Sequence, residues 1–106
     1  MNSVARQLDN LEDMKEHAGE AARLLKALAN ETRLMILCSL AGQELSVGAL
    51  NRKVRLSQSA LSQHLAVLRR DKLVQTRRKS QTIYYSLADT RSSKIIDVLR
   101  QLYCNN

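Results

Sequence analysis

The chain has 106 residues, 44% of them hydrophobic and 3% aromatic, with no Phe, Trp or Pro and a formal net charge of +7. That length suits one small domain over residues 1–106, with a modest core that dimerisation commonly enlarges. No apolar run approaches the roughly 18–20 residues needed to cross a bilayer, and MNSVARQLDNLEDMK has no apolar signal core, which argues against a membrane or secreted protein and for the cytoplasm, where the two cysteines are expected to stay reduced.

Leu11, Met14, Ala18, Ala21, Ala22, Leu25, Leu28 and Ala29 follow helical spacing, predicting a first helix over about 10–29. Asp9 and Glu12 have the spacing of a capping box at its start. Asn30 is placed to cap a second helix, with Glu31 in its first turn and Leu34, Ile36, Leu37 and Leu40 on its apolar side. Gly42 is a natural stop. Cys38 sits on this helix beside the stripe. Ser46 suits the N-cap of a short third helix to about Val54, with Leu50 and Val54 inward. Arg55-Leu56 form a turn, and Ser57 caps a fourth helix whose apolar line is Leu61, Leu65 and Leu68, with His64 beside it. Two short helices joined in this way make a helix-turn-helix unit, although the usual turn glycine is absent.

After Leu73 the period changes from helical to alternating. Val74 and Thr76 lead into Arg77-Arg78-Lys79-Ser80, and Ile83, Tyr85 and Leu87 share one face of a returning strand. The pattern predicts a β-hairpin with a basic tip. A last helix begins near Thr90 or Ser92, with Ile95, Ile96, Leu99, Leu102 and Tyr103 as its apolar face. The expected fold class is therefore mainly α with a β-hairpin wing, the order of elements of a winged helix-turn-helix.

Charge falls on this frame unevenly. Residues 51–80 hold nine Lys and Arg and one acid, whereas the other 76 residues hold eight basic and nine acidic groups. A basic cluster flanking a polar helix is the electrostatic footprint of a nucleic-acid-binding face. On the fourth helix the side opposite the leucines carries Gln58, Ser59, Ser62 and Gln63. Glutamine can bond adenine bidentately in the major groove, and serine serves several base edges or phosphates. Arg55, Arg69 and Arg70 flank the helix and suit phosphate anchoring, which fixes register rather than sequence. Arg77, Arg78 and Lys79 can reach the backbone or an adjacent minor groove. Each residue alone would read as an ordinary exposed polar position; double-stranded DNA as the partner follows from their combination. No paired carboxylates, nucleophile–base pair or phosphate loop accompanies them, and an enzyme is not expected.

LLKALANETRLMILCSL, followed by ELSVGALNRKVRLSQSALSQHLAVLRRDKLVQTRRKSQTIYYSL, resembles the ArsR/SmtB family of bacterial winged-helix transcriptional regulators over about residues 20–104. Ile36-Leu37-Cys38, ELSVGAL, LSQSALSQHL and the terminal Leu102-Tyr103-Cys104 look most like its HlyU/BigR/YgaV branch. The resemblance implies a homodimer packed through the first and last helices (about 10–29 and 90–104). It also implies a fourth helix in the major groove, the hairpin as wing, and a pseudo-palindromic operator with half-sites one or more helical turns apart.

Family members often bind metals, but the residues here argue against it. At the start of the third helix, where thiophilic-metal sensors carry a pair of cysteines, stand Ser46 and Gly48, neither a soft ligand. The last helix offers Asp97 and no His, too little for zinc or nickel. His17 and His64 lack ligand spacing; His64 reads as a packing or DNA-proximal residue. No metal and no cofactor is expected.

Cys38 and Cys104 remain. By their residues alone they read as buried, inert thiols, since free Cys is among the most buried residue types. The resemblance implies instead a sensing pair that reacts with persulfides, polysulfides or oxidants to give a disulfide or sulfur-bridged crosslink. An alternative also carried by the resemblance is an antirepressor that displaces a nucleoid silencer, its cysteines redox-inert. A third reading, from the charge alone, is a module that binds acidic proteins.

Overall fold

A computed structural model describes residues 3–88 and 90–104. Five helices, α1 (Ser3–Leu28), α2 (Glu31–Ser39), α3 (Val47–Val54), α4 (Gln58–Arg70) and α5 (Thr90–Tyr103), surround three short strands, β1 (Leu45–Ser46), β2 (Val74–Lys79) and β3 (Thr82–Leu87). The sheet is antiparallel in the order β1-β3-β2. The expected class, helical with a hairpin wing, is the one observed.

Helix boundaries follow local chemistry. Asn30 Oδ1 accepts the Arg33 amide at 3.0 Å, Ser46 Oγ the Ala49 amide at 3.1 Å, and Ser57 Oγ the Ala60 amide at 3.1 Å. Each cap satisfies one of the amides that a helix start leaves without a partner. α2 ends at a Leu40 cap, and Gly42 follows at φ +75°, where glycine pays no Cβ penalty. α1 differs from expectation. It already runs from Ser3, so Asp9 and Glu12 lie within the helix and do not start it. The side chain of Asp9 is outside the described residues.

The core is aliphatic, as a chain without Phe or Trp requires. Ile36 and Leu37 of α2 and Leu40 at its end meet Leu50 of α3, Leu61, Leu65 and Leu68 of α4, Leu73, Val74, and Ile96 of α5, all buried. Each buried leucine or isoleucine contributes on the order of 1.5–3 kcal/mol. Two polar links tie helices to their neighbours. Arg33 Nε donates to the Ala27 carbonyl at 2.8 Å, fixing α2 to the end of α1. Buried Ser92 donates from Oγ to the Leu73 carbonyl at 3.3 Å, fixing α5 to the turn after α4.

The last helix is only partly used by this core. Ile96 is buried, but Leu102 is 68% and Tyr103 81% exposed, and Val98 is exposed as well. On α1, Leu11, Met14 and Leu25 are also exposed. No helix among the described residues is long and apolar enough to cross a membrane.

Candidate nucleic-acid interface

α3 and α4 form the helix-turn-helix. Its turn lacks glycine, and Arg55 takes the left-handed conformation instead, at φ 54°, ψ 58°. Two contacts hold it there: the Arg55 amide donates to the Asn51 carbonyl at 2.7 Å, and Asn51 Oδ1 accepts the Leu56 amide at 2.9 Å. The Arg55 side chain is left exposed. Leu61, Leu65 and Leu68 bury one side of α4, which leaves Gln58, Ser59, Ser62 and Gln63 exposed on the rest of the helix. Arg69 and Arg70 are exposed in its last turn, with Arg70 Nε at 3.4 Å from Asp71 Oδ1. Arg52 and Lys53, in the last turn of α3, add two exposed cations that the sequence argument had not selected.

Beside α4 stands the wing. Val74 pairs with Leu87, Thr76 with Tyr85, Arg77 with Tyr84, Arg78 with Ile83 and Lys79 with Thr82. A correction follows for the basic tip: Arg77, Arg78 and Lys79 are strand residues, and the turn is Ser80-Gln81. Because side chains alternate across a strand, the three cations do not share a face. Arg78 lies on the side of Val74 and Tyr85. Tyr85 lines a groove with Val47, Ser62, Leu65, Ala66 and Arg69, so this side looks toward α4. Arg77 and Lys79 lie on the other side. There Arg77 is engaged twice. Its Nη2 and Nε donate to Glu44 Oε1 and Oε2 at 2.7 and 3.0 Å, and its guanidinium lies 5.1 Å from the centre of the Tyr84 ring. The Arg77 guanidinium holds the Glu44 carboxyl below the usual carboxylate range, so it remains ionised at neutral pH. Glu44 escaped the sequence argument because it lies 33 positions from its partner.

The two cysteines lie outside this face, on α2 and just after α5. Cys38 is half-buried against the core on α2. Cys104 follows α5, exposed, its amide donating to the Arg100 carbonyl at 2.7 Å. Burial pushes the Cys38 thiol up, the Cys104 charge adds to that, and Arg100 opposes both. The elements that carry the two cysteines are neighbours, since α2 packs against α5, although 66 positions separate the residues. Both are free thiols. Among the described residues, no three His, Cys, Asp or Glu side chains gather in a way that could hold a metal ion.

Residues 30–76, from the cap of α2 through the helix-turn-helix into the first half of β2, match the family described as bacterial regulatory protein, arsR family. Over 95 residues the chain is 55% identical to the transcriptional activator HlyU of Vibrio cholerae, covering 90% of this chain and 88% of that protein. The structure of reduced HlyU from Vibrio cholerae N16961 superposes with a TM-score of 0.82 at 54% identity, over 88% of this chain and 98% of that one. A homodimeric winged helix-turn-helix DNA-binding domain from Mycobacterium bovis gives a TM-score of 0.75 at 31% identity, over 85% of this chain and 84% of that one. The chain therefore belongs to the arsR family of bacterial regulatory proteins and is a DNA-binding transcriptional regulator built on a winged helix-turn-helix.

Proposed function

We propose that this regulator acts by binding, without catalysis, as a homodimer whose operator affinity is set by the Cys38/Cys104 pair. The exposed edge of α4 (Gln58, Ser59, Ser62, Gln63) reads base edges in the major groove, and Arg55, Arg69, Arg70, Arg78 and Lys79 anchor phosphates. Two α4 helices related by a two-fold axis require a pseudo-palindromic operator. The dimer reading is supported by the exposed apolar residues of α1 and α5, which a second copy would bury, and by the homodimeric relative. Neither reactive group nor metal is needed for DNA binding itself.

What supports the sensing function is the packing of α2 against α5, which brings the two elements that carry the thiols together within one chain. One belongs to the helix that underlies the helix-turn-helix, and the other closes the helix assigned to dimerisation. With a persulfide as reagent, one thiolate takes the terminal sulfur and releases the reagent's thiolate. The other thiolate then attacks the protein-bound sulfur, forming a disulfide and expelling sulfide. If both thiols are first persulfidated, their union as a trisulfide also expels sulfide. A direct disulfide needs Cα atoms within roughly 7 Å, while extra sulfur spans more. Either crosslink ties α2 to α5 and shifts the spacing of the two α4 helices. A coupling of about 1–3 kcal/mol suffices to weaken operator binding roughly 5–150-fold.

Cys38→Ser tests the proposal. The variant is expected to bind DNA as the reduced protein does and to stay bound after treatment with glutathione persulfide. Release of DNA by the treated variant would show that the pair is not the sensor.

A further inference from the structure

Glu44 is ion-paired to the wing through Arg77, and its placement gives Arg77 a different part from its neighbours. Arg77 offers five N–H donors and two ring-like faces; here two donors go to Glu44 and one face lies over Tyr84. The arrangement is fixed from three directions. Tyr84 is the cross-strand partner of both Arg77 and Ser46, and Glu44 immediately precedes β1, whose Ser46 also caps α3. The Glu44 side chain is 34% exposed and that of Arg77 54%, so the pair sits at the surface, where a phosphate could reach it. It lies on the side of the sheet opposite the one that looks toward α4.

We propose that Glu44 limits the phosphate-contact affinity of the wing: it holds Arg77 against Tyr84 on the outer side of the wing and so withholds one cationic contact per protomer from the phosphate backbone. Phosphate contacts raise affinity for every sequence alike. A wing with all three cations free would bind every duplex more tightly by the same factor, operator and random sequence alike, and would be held more strongly by the excess of non-specific DNA. Neutralising one of them within the protein lowers affinity for operator and random duplex alike while leaving the base-reading side of α4 untouched, so it sets binding strength and salt dependence and not sequence preference. The inference rests on the winged-helix reading of the DNA face.

Its test needs no operator. The full-length protein is titrated by fluorescence anisotropy onto a mixed-sequence duplex of roughly 30 base pairs at salt from about 50 to 200 mM, and log K is plotted against log salt. Glu44→Gln frees Arg77, and the slope is expected to steepen by about 0.9 for each freed arginine, which corresponds to roughly 8-fold tighter binding per contact at 0.1 M salt. Arg77→Gln in the otherwise unchanged chain is expected to leave the slope where it was, and Glu44→Gln with Arg77→Gln to return it there. Thermal unfolding of each variant, at equal protein concentration, shows whether the wing still folds. An unchanged or shallower slope for Glu44→Gln, including loss of binding through a collapsed wing, would overturn the inference. So would a shallower slope for Arg77→Gln, which would mean that Glu44 presents Arg77 to phosphate. If the unaltered protein shows no salt-dependent binding, the DNA-face reading itself is at fault, a distinct result.

Discussion

Arg55 sits where the fold prefers glycine, and replacing it separates stability from DNA binding. At φ 54°, ψ 58° an L-residue bears roughly 1–2 kcal/mol of left-handed strain. Glycine escapes that strain but loses more freedom on folding, by roughly 0.5–1 kcal/mol. Arg55→Gly keeps the 2.7 Å bond from the residue 55 amide to the Asn51 carbonyl and the 2.9 Å bond from Leu56 to Asn51 Oδ1. The net expectation is about 0.5–1 kcal/mol of added stability, or a rise of roughly 2–8 °C in Tm for a domain of this size. If the Arg55 side chain anchors a phosphate, the same change makes the slope of log K against log salt shallower by about 0.9 per protomer. Thermal unfolding at fixed protein concentration and a salt series on one duplex measure the two effects separately. A lowered Tm would refute the strain argument, and an unchanged slope would refute the anchoring role. Both outcomes as expected would mean that the turn carries arginine rather than glycine at a cost in stability because the DNA face needs the charge.

Leu68→Ala removes a fully buried side chain between α4 and the rest of the core and should cost about 2–5 kcal/mol, read from urea unfolding; a loss below about 1 kcal/mol would mean the core is not packed as described. Leu102→Glu places a charge on the exposed apolar end of α5 and should shift the protein from dimer to monomer in sedimentation velocity; an unaltered dimer would locate the interface elsewhere. Cys38 should be alkylated by iodoacetamide more slowly than a free thiol near pH 8, because burial and the Cys104 charge hold it protonated, and the lag should close as pH rises above the ordinary thiol range. The same raised pKa implies a stability contribution that is present below the unfolded thiol's pKa and lost as pH rises through the folded value. A rate equal to that of a free thiol throughout would contradict the burial argument.

What could be read in the sequence was what local chemistry dictates. Asn30, Ser46 and Ser57 announce their helices because a cap acts over three residues. Leu61, Leu65 and Leu68 announce the buried side of α4, and with it the exposed Gln and Ser edge. The start of α1 was misread because Asp9-x-x-Glu12 imitates a cap, yet nothing upstream breaks the helix that already runs from Ser3. β1 has only two residues, too few to show a period, and owes its existence to pairing with β3 some 40 positions on. The wing's turn was misplaced because Ser80-Gln81 lacks the Asn-Gly or Asp-Gly signature of a tight hairpin. That error hid the splitting of Arg77 and Arg78 onto opposite faces. A pairing across a long separation, such as Glu44 with Arg77, leaves no trace in spacing. For the cysteines, the residues alone read as inert thiols, and a sensing role is implied only by the family resemblance.

The account turns on the claim that joining Cys38 to Cys104 weakens DNA binding. The most direct measurement compares one preparation in two states, fully reduced and crosslinked with glutathione persulfide, titrated onto a duplex selected by the reduced protein from a random library, with a non-reducing peptide mass map of each state. The account predicts an intrachain Cys38–Cys104 crosslink and an affinity lower by roughly 5–150-fold. Equal affinities with the crosslink formed, or two unmodified thiols after treatment, would contradict it.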